Sequence, residues 1–155
     1  MTRALRDEIR QTKPFTSAEQ EAFLSLGRTW AVLEHAFAEA LRPYGITPTQ
    51  YNVLRILRGA GETGLCRTEV MQRLISKVPD TTRLLDRMEA AGLIERERSN
   101  RDRRFVTTRV TAAGLSLLAE LDDPVKELHR LHLGVLDRTE LRMLIASLER
   151  VRATV

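Results

Sequence analysis

Residues 47–111 constrain this chain more than any other stretch. They open with Thr47-Pro48-Thr49-Gln50. Threonine caps a helix, proline suits the first helical position, and Gln50 completes a capping box. Tyr51, Val53, Leu54 and Leu57 then give the buried face of a helix that Gly59-Ala60-Gly61 ends. A short helix follows over residues 67–74, with Val70, Met71 and Leu74 inward. The next helix is expected to begin near Lys77–Pro79 and to run to about Ala91. Thr81, Leu84, Leu85 and Met88 share its inner face, whereas Asp80, Thr82, Arg83, Asp86 and Arg87 lie away from it. Gly92 is a left-handed stop. Residues 93–98 and 104–110 read as two strands around the turn-forming, charged loop Ser99-Asn100-Arg101-Asp102-Arg103.

Helix, short helix, longer helix and arginine-rich hairpin, in that order, fit a winged helix-turn-helix. The expected fold is mostly α with a small β-wing, built as a winged helix-turn-helix DNA-binding lobe plus a helical dimerisation lobe. Charge supports that reading. Residues 1–45 carry six basic and six acidic side chains, residues 46–110 thirteen and eight, and residues 111–155 six and seven. The positive surplus therefore falls in the middle third, where a polyanion would be engaged. Of the 25 basic residues 22 are arginine, whose planar fork suits phosphate and guanine edges.

A helix of this kind lies in the major groove with its first turns against base edges. Lys77, Asp80, Thr82, Arg83 and Arg87 are its candidate DNA-binding residues. Arg83 can fork onto guanine, Thr82 can touch a thymine methyl or a phosphate, and Asp80 can accept from cytosine. The hairpin concentrates Arg96, Arg98, Arg101, Arg103 and Arg104 around one tip. Arginine gains there from the strongly negative potential of a narrow minor groove. Arg98, Asn100, Arg101, Asp102, Arg103 and Arg104 are the candidate wing residues, with Asp102 expected to hold an arginine in place. A solvated helix face and a charged edge strand are the bland alternatives.

The flanks read as helices. Residues 1–15 lack a sustained period and form an arm. Thr16 or Ser17 caps a helix to about Leu41, with Phe23, Leu26, Trp30, Leu33, Phe37 and Leu41 in one stripe, and Pro43 and Gly45 stop it. Thr111-Ala112-Ala113-Gly114 opens a long amphipathic helix carrying Leu115 to Val135, with a bend expected at Pro124. Asp137-Arg138-Thr139-Glu140 is a capping box for a last helix. These three apolar faces exceed what a lobe of about 65 residues needs, which predicts a homodimer with two recognition helices about 34 Å apart on double-stranded DNA. The division expected is 1–45 for the arm and first dimerisation helix, 46–110 for the DNA-binding lobe, and 111–155 for the C-terminal dimerisation helices.

The residues that carry this reading also carry a resemblance. Thr81-Thr-Arg-Leu-Leu-Asp-Arg-Met-Glu-Ala-Ala-Gly-Leu-Ile-Glu-Arg96, Asp102-Arg-Arg104 and Val110-Thr-Ala-Ala-Gly114 resemble the recognition helix, the Asp-x-Arg wing signature and the Leu-Thr-x-x-Gly start of the fifth helix in the MarR (multiple antibiotic resistance regulator) family. Val110 replaces the usual leucine, and Val78-Pro79 departs from the commoner Ser/Thr-rich helix start. The resemblance spans about residues 20–152. It implies an obligate homodimer, repression relieved by a small molecule or an oxidant, Arg104 as the minor-groove arginine and Asp102 as its brace. It also implies an aromatic anion as effector between the lobes, with Trp30, His35, Phe37, Tyr44 and Tyr51 as candidate pocket residues by position. Each of those aromatics is more simply core.

Other classes find less support. There is no glycine-rich phosphate loop, nucleophile elbow or HExxH motif, so an enzyme is not expected, and no cofactor is called for. A winged helix serving protein–protein contact is a rival, as is a redox-responsive regulator acting through Cys66. A lone cysteine excludes an internal disulfide and is more often small apolar filler. His129 and His132, three apart near Glu127, are an exposed pair more readily than a zinc site, and no metal is expected. No apolar run approaches the ~18 residues of a membrane span and the N-terminus lacks a signal-peptide core, so the chain is expected in the cytoplasm.

Overall fold

The computed structural model describes residues 4–98 and 106–155. A short helical turn α1 (Leu5–Glu8) precedes the long helix α2 (Ala18–Leu41), and a 3-10 turn (Arg42–Tyr44) leads to α3 (Pro48–Ala60). Then come β1 (Leu65–Cys66), α4 (Arg67–Arg73), α5 (Thr81–Ala90), β2 (Ile94–Arg98), β3 (Val106–Val110), α6 (Ala112–Leu133) and α7 (Arg138–Arg152). The fold is thus mostly helical, with one three-stranded antiparallel sheet in the order β1-β3-β2.

The helix ends form where side chains replace missing backbone partners. Ser17 accepts the Gln20 amide at the start of α2. Thr47 and Gln50 close both halves of the capping box of α3, and Asp137 and Glu140 do the same for α7. Such caps contribute about 0.5–2 kcal/mol each. Gly45 (φ 71°) ends the turn after α2 and Gly92 (φ 71°) the run of α5, as their positions suggested. The helix α3 passes through Gly59 and ends only at Gly61.

Three expectations change. The helix that carries Arg83 starts at Thr81, not at Lys77–Pro79, because Asp80 caps it with its Oδ1 accepting the Arg83 amide at 2.9 Å. Proline also disfavours helical backbone at the residue before it, so Val78 lies outside. Met71 is exposed: Val70 takes the inward position on the short α4, and a residue next to it in sequence points about 100° away. The strand β1 was not anticipated, since two residues carry no readable alternation; Leu65 and Cys66 pair with Thr108 and Thr107 of β3.

One buried cluster joins the elements from α2 to α6. Leu41 of α2, Val53, Leu54 and Leu57 of α3, Leu85 and Met88 of α5, Ile94 of β2 and Leu118 and Leu121 of α6 are its centre. Arg58 of α3 and Asp122 of α6 add a two-point ion pair, both contacts at 2.9 Å, which holds the Asp122 carboxyl below the usual carboxylate range. Beyond this cluster the helices run apolar and uncovered. Phe23 and Trp30 on α2, Leu131 on α6 and Met143, Ile145 and Val151 on α7 are exposed, Val135 is 81% exposed, and no side chain of α7 is fully buried.

Gly114, in the first turn of α6, lies against the Leu93 carbonyl and Val110 Cγ2, where a methyl group has no room. Gly114→Ala is expected to destabilise the fold by about 1–3 kcal/mol, read as a lower denaturation midpoint at fixed protein concentration; an unchanged midpoint would show that the junction yields.

Candidate nucleic-acid interface

The helix α5 buries Thr81, Leu84, Leu85 and Met88 and leaves Thr82, Arg83 and Arg87 exposed. The 3.6-residue period settles this division, and the apolar residues beneath hold the outer face rigid. Among the described residues neither Arg83 nor Arg87 enters an ion pair. Lys77 is exposed but sits in the turn before the helix, three residues ahead of the cap, and not on the helix as expected. Asp80 is exposed and spends its Oδ1 on the cap, so a structural role stands beside the outward base contact expected from the sequence. The hydroxyl of Thr82 accepts from Arg67 Nη1 of α4 at 3.2 Å, which ties the two helices of the motif at their N-termini. Arg67 escaped the sequence reading because no pattern within one helix reveals its partner in another.

The hairpin pairs Ile94 with Val110, Arg96 with Thr108 and Arg98 with Val106. Arg98 is exposed at the far end of β2. The wing candidates Asn100, Arg101, Asp102, Arg103 and Arg104 lie outside the described residues. Arg96 does not behave as a wing-tip arginine. Its Nε and Nη2 donate to Glu89 Oε2 at 2.9 and 2.5 Å, and Nη2 also donates to Asp86 Oδ1 at 2.6 Å. The bond to Glu89, then that to Asp86, holds its guanidinium above the usual arginine range. Arg109, on the neighbouring strand, donates to the Glu62 carbonyl at 2.6 Å and to Glu97 at 2.9 Å. Arg96 counts among the five hairpin arginines expected at the minor groove, and Arg109 only within the basic surplus; strand alternation combined with carboxylates at Asp86 and Glu89, three apart on a helix, is the available signal that Arg96 is spoken for.

Between α2, α3 and α6 lies a cleft of about 550 Å³. Trp30, Phe37 and Tyr51, three of the expected aromatics, line it. Phe37 meets Tyr51 edge to face at 5.4 Å, and Arg55 lies over the Tyr51 ring at 5.9 Å. His35 and Tyr44 are not among its lining residues. The lining positions on α2 are 30, 33, 34 and 37, a single helical face, and His35 falls off it, exposed. Tyr44 lies past the end of α2 and packs on the buried cluster. The cleft also gathers His129 and His132, considered above for zinc, together with Arg55. Among the described residues no group of three or more histidine, cysteine or acidic side chains is poised for a metal. Cys66 is half-buried; its amide donates to Glu69 Oε2 at 2.7 Å as part of the cap of α4. No helix of the described residues is long and apolar enough to cross a membrane.

Comparison with known proteins gives a consistent picture. Residues 44–104 match the model of the MarR family. The chain is 25% identical over 137 residues to the HTH-type transcriptional regulator MhqR of Bacillus subtilis, covering 88% of this chain and 92% of the relative. Among solved structures it is similar to a MarR transcription factor from Planctomyces limnophilus, at 38% identity and TM-score 0.69, over 88% of this chain and 98% of the other. It is also similar to a mutant of MarR from E. coli complexed with operator DNA, at 26% identity and TM-score 0.73, over 87% and 99% of the two chains.

Removing the cap tests how α5 is held. Asp80→Ala is expected to cost about 1 kcal/mol of stability and to weaken binding to every duplex alike, since the helix start loosens; a loss confined to one base position in the site would instead return Asp80 to base reading.

Proposed function

The chain belongs to the MarR family of transcription regulators that bind DNA, and on that premise we propose that it is a ligand-responsive repressor that grips a near-palindromic operator as a homodimer. The observation that carries this reading is the exposed face of α5. Thr82, Arg83 and Arg87 stand on a rigid, capped helix within the segment that holds the chain's positive surplus. In this reading Arg83 forks onto a guanine edge, Thr82 and Arg87 reach a thymine methyl or phosphates, and Lys77 approaches the backbone ahead of the helix. Arg98, Asn100, Arg101, Arg103 and Arg104 serve the flanking minor groove, with Asp102 bracing Arg104.

Residues 1–45 and 111–155 act as the dimerisation part and residues 46–110 as the DNA-binding lobe. The uncovered apolar faces of α2, α6 and α7 support the dimer: exposed apolar helix faces on this scale mark an interface. Two-fold symmetry then repeats the recognition helix about one DNA turn away. The cleft supports the effector part of the reading. Its Trp30, Phe37 and Tyr51 offer stacking area and Arg55 a fixed positive charge, a combination suited to a small aromatic anion.

Duplex affinity is expected to fall steeply with salt, log K against log salt having a slope near −0.9 per phosphate neutralised; a flat response at low ionic strength would remove the DNA reading. Arg83→Ala is expected to cost about 1–3 kcal/mol and to relax preference at one position per half-site; an equal loss on all sequences would make Arg83 a phosphate contact. Trp30 is the sole tryptophan, so salicylate titrated against the protein should quench its emission and release bound duplex together. Quenching without release would make the cleft a binding site unconnected to regulation.

A further inference from the structure

We propose that Arg96 is a positioning residue that fixes the β-hairpin against the recognition helix, so that α5 and β2 read DNA as one rigid body. The proposal rests on the DNA-binding reading above and concerns a residue that contacts no DNA in it.

Strand geometry brings Arg96 to this place. Successive side chains of a strand alternate between faces, so Ile94, Arg96 and Arg98 share one side and Glu95 and Glu97 the other. Ile94 is buried, and Thr108, opposite Arg96 on β3, is buried too. Arg96 therefore rises on the core side of the sheet, at the rim, facing α5. There the helix presents Asp86 and Glu89, three residues apart and so on neighbouring turns. The guanidinium fork meets both, with its side chain 23% exposed against 54% for Asp86 and 38% for Glu89. A planar fork closing on two carboxylates fixes direction as well as distance, which a lysine ammonium does not.

The placement has two consequences for reading DNA. The N-terminal half of α5 is held by the Asp80 cap and by Arg67 on Thr82, and the C-terminal half is held to the hairpin by Arg96. Two contacts to a duplex from one body reinforce each other only when their spacing is fixed, because the second then forms without a further loss of freedom. Arg96 also occupies the two carboxylates that α5 itself carries, at positions 86 and 89, the nearer ones to Arg87. With those anions satisfied, the outer face of the helix offers its arginines to phosphates and bases. Loss of Arg96 is thus expected to weaken binding at the hairpin although no direct contact is removed.

The test uses the full-length dimer and a duplex recovered from a random pool by the wild-type protein, read by affinity and hydroxyl-radical footprint. Arg96→Met should weaken binding by about tenfold, the scale of coupling within one ion-pair network. Protection should thin over the flanking minor groove and persist at the centre. Combining it with Glu89→Ala should add little to the loss, because both changes break the same tie. Wild-type affinity with a complete footprint, or losses that multiply in the double variant, would overturn the proposal, the second by making Arg96 a direct contact. If Arg96→Met does not fold, Arg96→Lys is read instead. Keeping the charge without the fork should leave the melting temperature near wild type and weaken binding by about threefold; undiminished binding would again overturn it. A wild-type protein that selects no duplex would sink the DNA reading itself, a distinct failure.

Discussion

The structure turns on Thr111. Its hydroxyl donates to the Gly92 carbonyl at 2.6 Å and accepts the Gly114 amide at 3.1 Å, and its own amide donates to the Leu93 carbonyl at 3.1 Å. One residue thus joins the left-handed stop of α5, the start of the hairpin, the end of β3 and the first turn of α6. Gly114 lets that turn press onto Leu93 without a side chain between them. Were this junction loose, the hairpin would leave α5 at no fixed angle, and α6 would start in no fixed direction. A side chain that satisfies a helix start and a distant carbonyl together is worth more than either bond alone, since each holds the geometry the other needs.

From that junction the chemistry divides by face. The inward residues of α3, α5 and α6 merge into one cluster, which makes the lobe rigid enough to present arginines at defined positions. The outward residues sort into arginines that are spent and arginines that are offered. Arg58, Arg96 and Arg109 close on Asp122, on Asp86 with Glu89, and on Glu97 respectively. Exposed pairs of this kind add little stability on their own. Their value here is directional, because each crosses between two elements and fixes how they sit against each other.

Much of this was legible in the chain. The capping boxes at Thr47 and Asp137, the stops at Gly45 and Gly92, and the buried set Thr81, Leu84, Leu85 and Met88 are local or periodic features, and local hydrogen bonding with a 3.6-residue repeat suffices to read them. The start of α5 was misread by a few residues because proline at a first helical position and proline just before a cap look alike until the capping carboxylate is found. The cleft was half legible: Trp30, Phe37 and Tyr51 were anticipated as aromatics, yet His129, His132 and Arg55 join them only because α6 and α3 pack beside α2.

The amino-acid order by itself determined the main helices, most of their ends, the two paired strands β2 and β3, the concentration of positive charge in the middle third and membership of a DNA-binding family, since each depends on neighbours a few residues apart or on composition. Tertiary structure alone decided the fate of individual charges and rings. Whether an arginine meets a carboxylate or solvent, and whether a histidine lines a cleft, depends on elements tens of residues distant, as Arg58 and Asp122 show. Side-chain partnership across elements is a property of packing, and no periodicity within a single element encodes it.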